Sequence, residues 1–310
     1  MSEQLIVVDW GTSNFRAYLI DRHSGAIVDE RATPHGMRSL QSAQFPDYCA
    51  DALKGWRSEA QPVPVYMAGM VGAKRGWAES PQLSLPVGLN ELCHQMIAAP
   101  NFTSGWILPG VKIIDTGEAE LVDVMRGEEI QLFGALALAD NPAELHCCLP
   151  GTHSKWARIR NGQLERFTTA MTGELYQAVM EHTLPGEPAQ PDAPFDDNAF
   201  QLGMRRVAAD GGVLHALFEA RSRYLYAGLG PEAISSFISG VLIGEEVQRM
   251  AACWETPAHL HLIGSHTLMA PYTTALAQCG IEVTHISARD ATLAGVRALA
   301  QNHLSEQGPH

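Results

Sequence analysis

Short apolar runs separated by Gly, Asp and Ser turns open the chain. Leu5–Val8, Ala17–Ile20 and Ala26–Glu30 read as three strands of a meander, with Asp21–Gly25 as the turn before the third. A helix is predicted over Pro46–Arg57, and a strand over Val63–Met67 runs into a glycine-containing loop at Ala68–Ala73. Trp106–Leu108 and Val111–Ile114 are further short strands. Over Glu128–Leu138, Ile130, Leu132, Phe133, Leu136 and Leu138 fall on one broad helical face. The second half repeats the grammar. Strands are predicted at His146–Leu149, Ala157–Ile159 and Leu164–Thr168, then at Leu260–Ile263 and Val283–Ile286. Helices are predicted at Glu174–His182, Asn198–Arg206, Val213–Ser222, Pro231–Ala252, Pro271–Cys279 and Ala291–Gln301. Pro185–Asp197 carries four prolines and four acids and reads as a surface loop, and Ser305–His310 as a frayed end.

One pattern inside the repeat is close. The first strand leads through Asp9, Trp10, Gly11, Thr12, Ser13 and Asn14 into a strand holding Arg16 and Ala17. The strand at His146 leads through Pro150, Gly151, Thr152 and His153 into one holding Lys155, Trp156 and Ala157. Gly11-Thr12 aligns with Gly151-Thr152, and an alanine stands six residues after each glycine. This predicts an α/β chain of two similar domains, 1–145 and 146–310, with ligand in the cleft between them.

Composition narrows the class. The 310 residues are 46% hydrophobic and 18% charged, with a formal net charge of −13, so nucleic acid and anionic membranes are not expected partners. The six cysteines include no Cys-x-x-Cys pair, and Cys147-Cys148 lies in an apolar run, which predicts buried free thiols. No basic segment precedes a long apolar stretch near the N-terminus, and no run approaches the roughly 20 residues of a membrane span. A soluble, cytoplasmic protein is expected, with homo-oligomerisation left open.

The turns supply the first chemistry. The N–H and hydroxyl groups of Thr12, Ser13 and Asn14 suit phosphate oxygens, Gly11 allows close backbone approach, and Asp9 suits a magnesium ion held through waters. Arg16 suits a phosphate or a substrate carboxylate. Neither G-x-x-x-x-G-K-[ST] nor G-x-G-x-x-G occurs. His259 and His261 alternate along a strand and read as packed or surface groups.

The first turn resembles the leading phosphate motif of the superfamily of sugar kinases, heat-shock ATPases and actin. More narrowly, the chain resembles the 2-dehydro-3-deoxygalactonokinase family. The resemblance rests on Val65–Gly72 with Gly76 and Trp77, Val124–Leu132, Leu149–Trp156, Met171–Leu175 and Phe237–Gly244, in family order across nearly the whole chain. It implies an actin-like ATPase (ribonuclease H-like) fold and a carbohydrate kinase. The implied reaction is ATP- and Mg2+-dependent phosphorylation of the 6-hydroxyl of 2-dehydro-3-deoxy-D-galactonate, in galactonate catabolism.

The resemblance also distributes roles. The proton acceptor precedes the Leu132, Phe133, Gly134 helix, where Glu128 and Glu129 stand in place of the Asp of related kinases; Glu128 is favoured and Glu129 competes. Both acids also suit the first turn of a helix. Arg126 faces the substrate's carboxylate or makes a structural salt bridge. Ala68, Gly69 and Met70 form the sugar-contacting loop, and Trp77 packs on the carbon chain or in the core. Gly151, Thr152 and His153 form the second phosphate clamp, with Lys155 adding charge or turned to the other side of its strand. Gly264 and Ser265 make an adenosine-binding turn, which Ala288–Val296 closes, with Asp290 capping the helix that starts at Ala291. Two other readings stay open: a kinase for another 2-keto-3-deoxy sugar acid, and a nucleotide or sugar sensor without chemistry.

Overall fold

The computed structural model of the chain describes residues 3–58, 60–115, 117, 120–254 and 257–306. The first meander is β1 (Gln4–Trp10), β2 (Phe15–Asp21) and β3 (Ile27–Thr33), followed by α1 (Phe45–Ala52) and β4 (Val65–Gly69). Then come β5 (Gln82–Ser84), β6 (Val87–Gly88), α2 (Leu89–His94), β7 (Ile97–Ala98), β8 (Gly105–Ile107), β9 (Gly110–Asp115), β10 (Leu121–Met125) and α3 (Glu128–Leu138). A second meander is β11 (Glu144–Leu149), β12 (Ser154–Arg160) and β13 (Gln163–Ala170). Four helices follow, α4 (Thr172–His182), α5 (Asp197–Val207), α6 (Gly212–Tyr226) and α7 (Ile234–Cys253). The chain closes with β14 (His259–Gly264), α8 (His266–Gln278), β15 (Glu282–Ser287) and α9 (Ala288–Glu306). Among the described residues no helix is long and apolar enough to cross a membrane.

The duplication is visible in strand order. One sheet runs β3-β2-β1-β4-β8-β7, and another runs β13-β12-β11-β14-β15 with β6 added beyond β13. In each, the first strand of a meander is central. β1 pairs antiparallel with β2 and parallel with β4, and β11 pairs parallel with β14, which pairs parallel with β15. β1 is apolar on both faces, with Leu5, Ile6, Val7 and Val8 all fully buried, as a strand covered on both sides must be. A third, three-stranded sheet runs β10-β9-β5.

The chain forms two compact units. The first comprises 1–145, 157–167 and 288–310; the second comprises 146–156 and 168–287. The first unit's core gathers Val8, Trp10, Phe15, Phe45, Met67, Trp77 and Ile107. There α9 lies against α3 with backbone close to backbone: a Cβ on Gly134 would sit 1.8 Å from Ala291 O, and one on Gly295 2.0 Å from Ile130 O. The second unit has two apolar clusters, one around Cys148, Trp156, Phe200, Leu262 and Tyr272, the other around Ala216, Ile234, Phe237 and Val241. Gly203 and Gly240 let α5 and α7 touch, since a Cβ on either would fall within 2.2 Å of the other helix's backbone.

Several elements differ from expectation. α1 stops at Ala52, five residues early, because Leu53 turns into the core and Gly55 takes φ +88°. α8 starts at His266 and carries Pro271 inside it, near enough to its start that only the bond to Thr267 O is forfeited. α9 starts at Ala288, so Asp290 lies in its first turn and does not cap it. Ser305 and Glu306 continue that helix, and Gln307–His310 lie outside the described residues.

Candidate active site

In the first unit the site begins where β1 and β4 end side by side, with Asp9 paired to Ala68 and Trp10 to Gly69. β1 turns into β2 through Gly11–Asn14, closed by the Gly11 N–H donating to Asn14 O at 2.9 Å. The turn is held from one side. Met37 N–H donates to Gly11 O at 2.9 Å and Arg38 N–H to Thr12 O at 3.1 Å. Gly36 lies so close beneath that a Cβ there would be 2.3 Å from Ser13 N. The turn's carbonyls are thereby engaged, while among the described residues no protein group accepts from the N–H of Thr12, Ser13 or Asn14. Gly11 itself is not forced by the fold, because its added Cβ would meet only Asn14 O at an ordinary 3.6 Å.

Asp9 stands at the mouth of this turn, opposite Arg16 across the hairpin. Arg16 Nη1 donates to Asp9 Oδ2 at 3.2 Å, and the Asp9 side chain stays 30% exposed. Burial pushes the Asp9 carboxyl up, Arg16 opposes the rise, and the negative charge of Glu128 adds to it. Asp9 and Glu128 therefore share one local field.

Glycine brings them together. Gly69 takes φ +92°, and a Cβ there would lie 2.9 Å from Trp10 O. Gly127, at φ +106°, sits immediately before α3, and its added Cβ would be 3.2 Å from Gly69 Cα. Two backbones that tolerate no side chain between them set the start of α3 against the ends of β1 and β4. Glu128 and Glu129 then diverge. Glu129 is 1% exposed, and its Oε2 accepts the Gly127 N–H at 2.7 Å. Its Oε1 is buried and has no partner among the described residues. Burial, reinforced by Glu128, pushes the Glu129 carboxyl up to about 8, against the Gly127 N–H and Arg126. At neutral pH Glu129 is thus a neutral acid. Glu128 is only partly buried.

The remaining first-unit residues split. Ala68 is buried in β4, and Met70 opens a short 3-10 turn, half-buried. Arg126 is half-buried and clamped: Nη2 donates to Ser80 O at 2.9 Å and Nη1 to Ser80 Oγ, whose hydroxyl donates to Leu108 O at 2.8 Å. This hydrogen-bonded anchor replaces the salt bridge weighed from sequence. Trp77 takes the second of its two readings, the core. It is 6% exposed and packs with Phe45 at 6.1 Å, Phe102 at 5.5 Å and Trp10 at 6.2 Å between ring centroids, so its ring faces are spent on the core.

The second unit builds a similar turn from other parts. Thr152 O accepts the Glu174 N–H at 3.0 Å, and Gly173 at the start of α4 is crowded so closely that its added Cβ would be 2.5 Å from Gly151 O. Again the carbonyl side is engaged, and among the described residues the N–H groups of Gly151, Thr152 and His153 donate to no protein acceptor. A Cβ on Gly151 would meet nothing within 4 Å. His153 Nε2 pairs with Glu174 Oε2 at 2.6 Å. Lys155 is 3% exposed and donates to His153 O at 2.8 Å, so it braces the turn and offers no open charge. Gly264 borders the same turn, its added Cβ 3.7 Å from Pro150 O, and Ser265 pairs with Thr267 through their hydroxyls at 3.0 Å at the start of α8. His259 reaches Thr284 Oγ1 at 2.9 Å, and among the described residues no group of three His, Cys, Asp or Glu could hold a metal. Cys147 and Cys148 are buried free thiols.

Sequence reasoning missed the braces: Gly36 with Met37 and Arg38, and Gly173. Their signal was present only as glycines outside any predicted turn.

Comparison with known proteins gives one answer. The profile of the 2-keto-3-deoxy-galactonokinase family matches residues 9–299. A 2-dehydro-3-deoxygalactonokinase of Escherichia coli K12 is 35% identical over 303 residues, which is 97% of this chain and 98% of that protein. A Sinorhizobium meliloti protein, provisionally described as the same kinase, superposes with a TM-score of 0.87 at 32% identity over 96% of this chain and 98% of its own. An activator of 2-hydroxyisocaproyl-CoA dehydratase from Clostridium difficile, solved with ADPNP, shares the fold at TM-score 0.53 and 12% identity, over 99% and 98% of the two chains.

Proposed function

The chain belongs to the 2-keto-3-deoxy-galactonokinase family, and from that premise we propose that it transfers the γ-phosphoryl group of ATP to the 6-hydroxyl of 2-dehydro-3-deoxy-D-galactonate. The observation that carries the reading for these residues is the common construction of the two Gly-Thr turns. In each, backbone N–H groups behind the turn engage its carbonyls, Gly11 O and Thr12 O in one and Thr152 O in the other. Among the described residues the N–H groups of Thr12, Ser13 and Asn14, and of Gly151, Thr152 and His153, donate to no protein acceptor, around a glycine the fold does not require. Such a turn is an anion cradle awaiting phosphate oxygens. Thr12, Ser13 and Asn14, with Gly151, Thr152 and His153, take the nucleotide phosphates. Gly264 and Ser265, beside Pro150, take the adenosine.

Asp9 fits a magnesium ion: a single, partly open carboxylate suits a cation that keeps most of its waters. Magnesium, when bound, neutralises charge on the phosphates. Glu128 accepts the proton of the substrate hydroxyl. Glu129 is a poor base for that step because it already holds a proton at neutral pH. Arg126, aimed by its grip on Ser80, meets the carboxylate of the sugar acid, with Gly69 and Met70 along the carbon chain. The second unit is the nucleotide half and the first the sugar half, in a cytoplasmic enzyme.

The test is ADP release from ATP with the keto-deoxy acid on purified protein. Glu128→Gln should lower turnover by about 10²- to 10⁴-fold with ADP affinity held within roughly twofold of wild type. Wild-type protein that leaves the acid unphosphorylated removes the reading, and an active Glu128→Gln removes Glu128 as the base.

A further inference from the structure

Glu246 is a buried carboxylate that the phosphoryl-transfer reading does not use. It sits on α7, 5% exposed. Its Oε1 accepts from Trp156 Nε1 at 2.8 Å; its Oε2 accepts from the Tyr272 hydroxyl at 2.6 Å and from the Thr172 hydroxyl. The Ser154 hydroxyl lies 2.9 Å from Tyr272 Oη and completes the cluster. Among the described residues no Lys, Arg or His forms an ion pair with it. Neutral donors alone therefore converge on this carboxyl group inside an apolar cluster containing Trp156, Tyr272 and Ile243, where burial raises its pKa and the donors oppose the rise.

Such an arrangement adds little to stability. Removing a carboxylate from water is costly, and an apolar group of similar shape fills the same space at no such cost. What a fully satisfied buried hub does supply is fixed geometry among its donors. The donors here are not scattered. Ser154 and Trp156 follow the Gly151–His153 turn directly on β12. Thr172 is the first residue of α4, and the next two, Gly173 and Glu174, are those that abut Gly151 O and bond to Thr152 O. Tyr272 belongs to α8, the helix that begins just after Gly264 and Ser265. The carboxylate thus reaches both elements that frame the second turn and the helix under the neighbouring one.

We propose that Glu246 is a positioning residue of the nucleotide half, fixing through Thr172, Trp156 and Tyr272 the backbone of the Gly151–His153 turn. It touches no substrate. Its contribution is the direction of the N–H groups of that turn, so its loss acts on the nucleotide and spares the sugar acid. The inference rests on the kinase reading for the identity of that nucleotide.

Glu246→Gln keeps size and replaces one carboxyl oxygen with an amide NH2. One end of the amide is then an N–H donor facing either Trp156 Nε1 or the two hydroxyls, so one strut is lost or reversed. KM for ATP should rise about tenfold while KM for the keto-deoxy acid stays within about twofold. Tyr272→Phe keeps the ring and deletes one strut, and should raise KM for ATP about threefold. It serves if Glu246→Gln does not fold. A purely structural role predicts lower melting temperatures with both KM values unchanged below the transition, and that result overturns the proposal. So does an equal rise in both KM values. ADP affinity, measured by titration calorimetry on the same proteins, separates the two readings. Wild-type protein that binds ADP without phosphorylating the acid overturns the kinase reading, and the ratio of ADP affinities then decides the role of Glu246.

Discussion

Glu129→Gln gives the sharpest check on the start of α3. The wild-type carboxyl is pushed from its ordinary 4.5 up to about 8. Between those values the folded chain holds a proton that the unfolded chain has released. Stability therefore falls as pH rises through this window, by about 1.4 kcal/mol per pH unit, and is level on either side of it. The span from 4.5 to about 8 bounds the whole loss at roughly 4 to 5 kcal/mol. Because the side chain is 1% exposed, solvent screening does little to reduce that figure. Gln carries no proton to lose, and its amide oxygen can accept the Gly127 N–H that Glu129 accepts at 2.7 Å. The two proteins should be nearly equal in stability at about pH 5, and Glu129→Gln the more stable by several kcal/mol at about pH 8. Urea unfolding followed by tryptophan fluorescence at intervals of about one pH unit measures this. Turnover of Glu129→Gln should stay within about threefold of wild type, since a neutral acid is replaced by a neutral amide. A stability difference that does not change with pH would refute the buried neutral acid. Collapse of turnover with Glu128 intact would transfer the base to Glu129.

Two further outcomes follow from the site. Gly11→Ala and Gly151→Ala should leave stability within about 0.5 kcal/mol, since neither glycine has a positive φ and neither added Cβ is crowded. KM for ATP should nevertheless rise about tenfold, and an unchanged KM would remove the turns as phosphate cradles. Arg126→Lys keeps the charge but loses the fork that grips Ser80, so KM for the sugar acid should rise about tenfold with KM for ATP unaltered. Equal changes in both constants would contradict a carboxylate-binding role.

Legibility followed how local each determinant is. The meander strands, the paired turns and the limits of α3 at Glu128 and Leu138 are written in short-range periodicity and turn chemistry, and the structure has them there. β5, β6, β7 and α2 are two to six residues long and lack room for a period. β10 was invisible for another reason: Val122 and Val124 stay 71% and 51% exposed, so its pattern carries no inside and outside to read. The two acids of α3 look equivalent in sequence. What separates them is the approach of Gly69 to Gly127, a meeting of residues far apart in the chain. The same holds for Trp77, whose fate depended on Phe45 and Phe102, and for Lys155, which turns back to His153 O. Identity of the chemical groups was local; which of them faces inward was not.

The order of segments has a consequence for biosynthesis. The first unit contains residues 1–145 but also the last described helix, and the helix holding Glu128 and Glu129 rests on it through Gly134 and Gly295. A ribosome delivers α9 only after the entire second unit has been made. Until then the face of α3 at Gly134 and Ile130 O lacks its partner helix. The first unit is therefore complete only once 168–287 has been synthesised. A chain cut ahead of α9 would lack the helix against which Gly134 of α3 is packed, and the two acids at the start of α3 would lose that support.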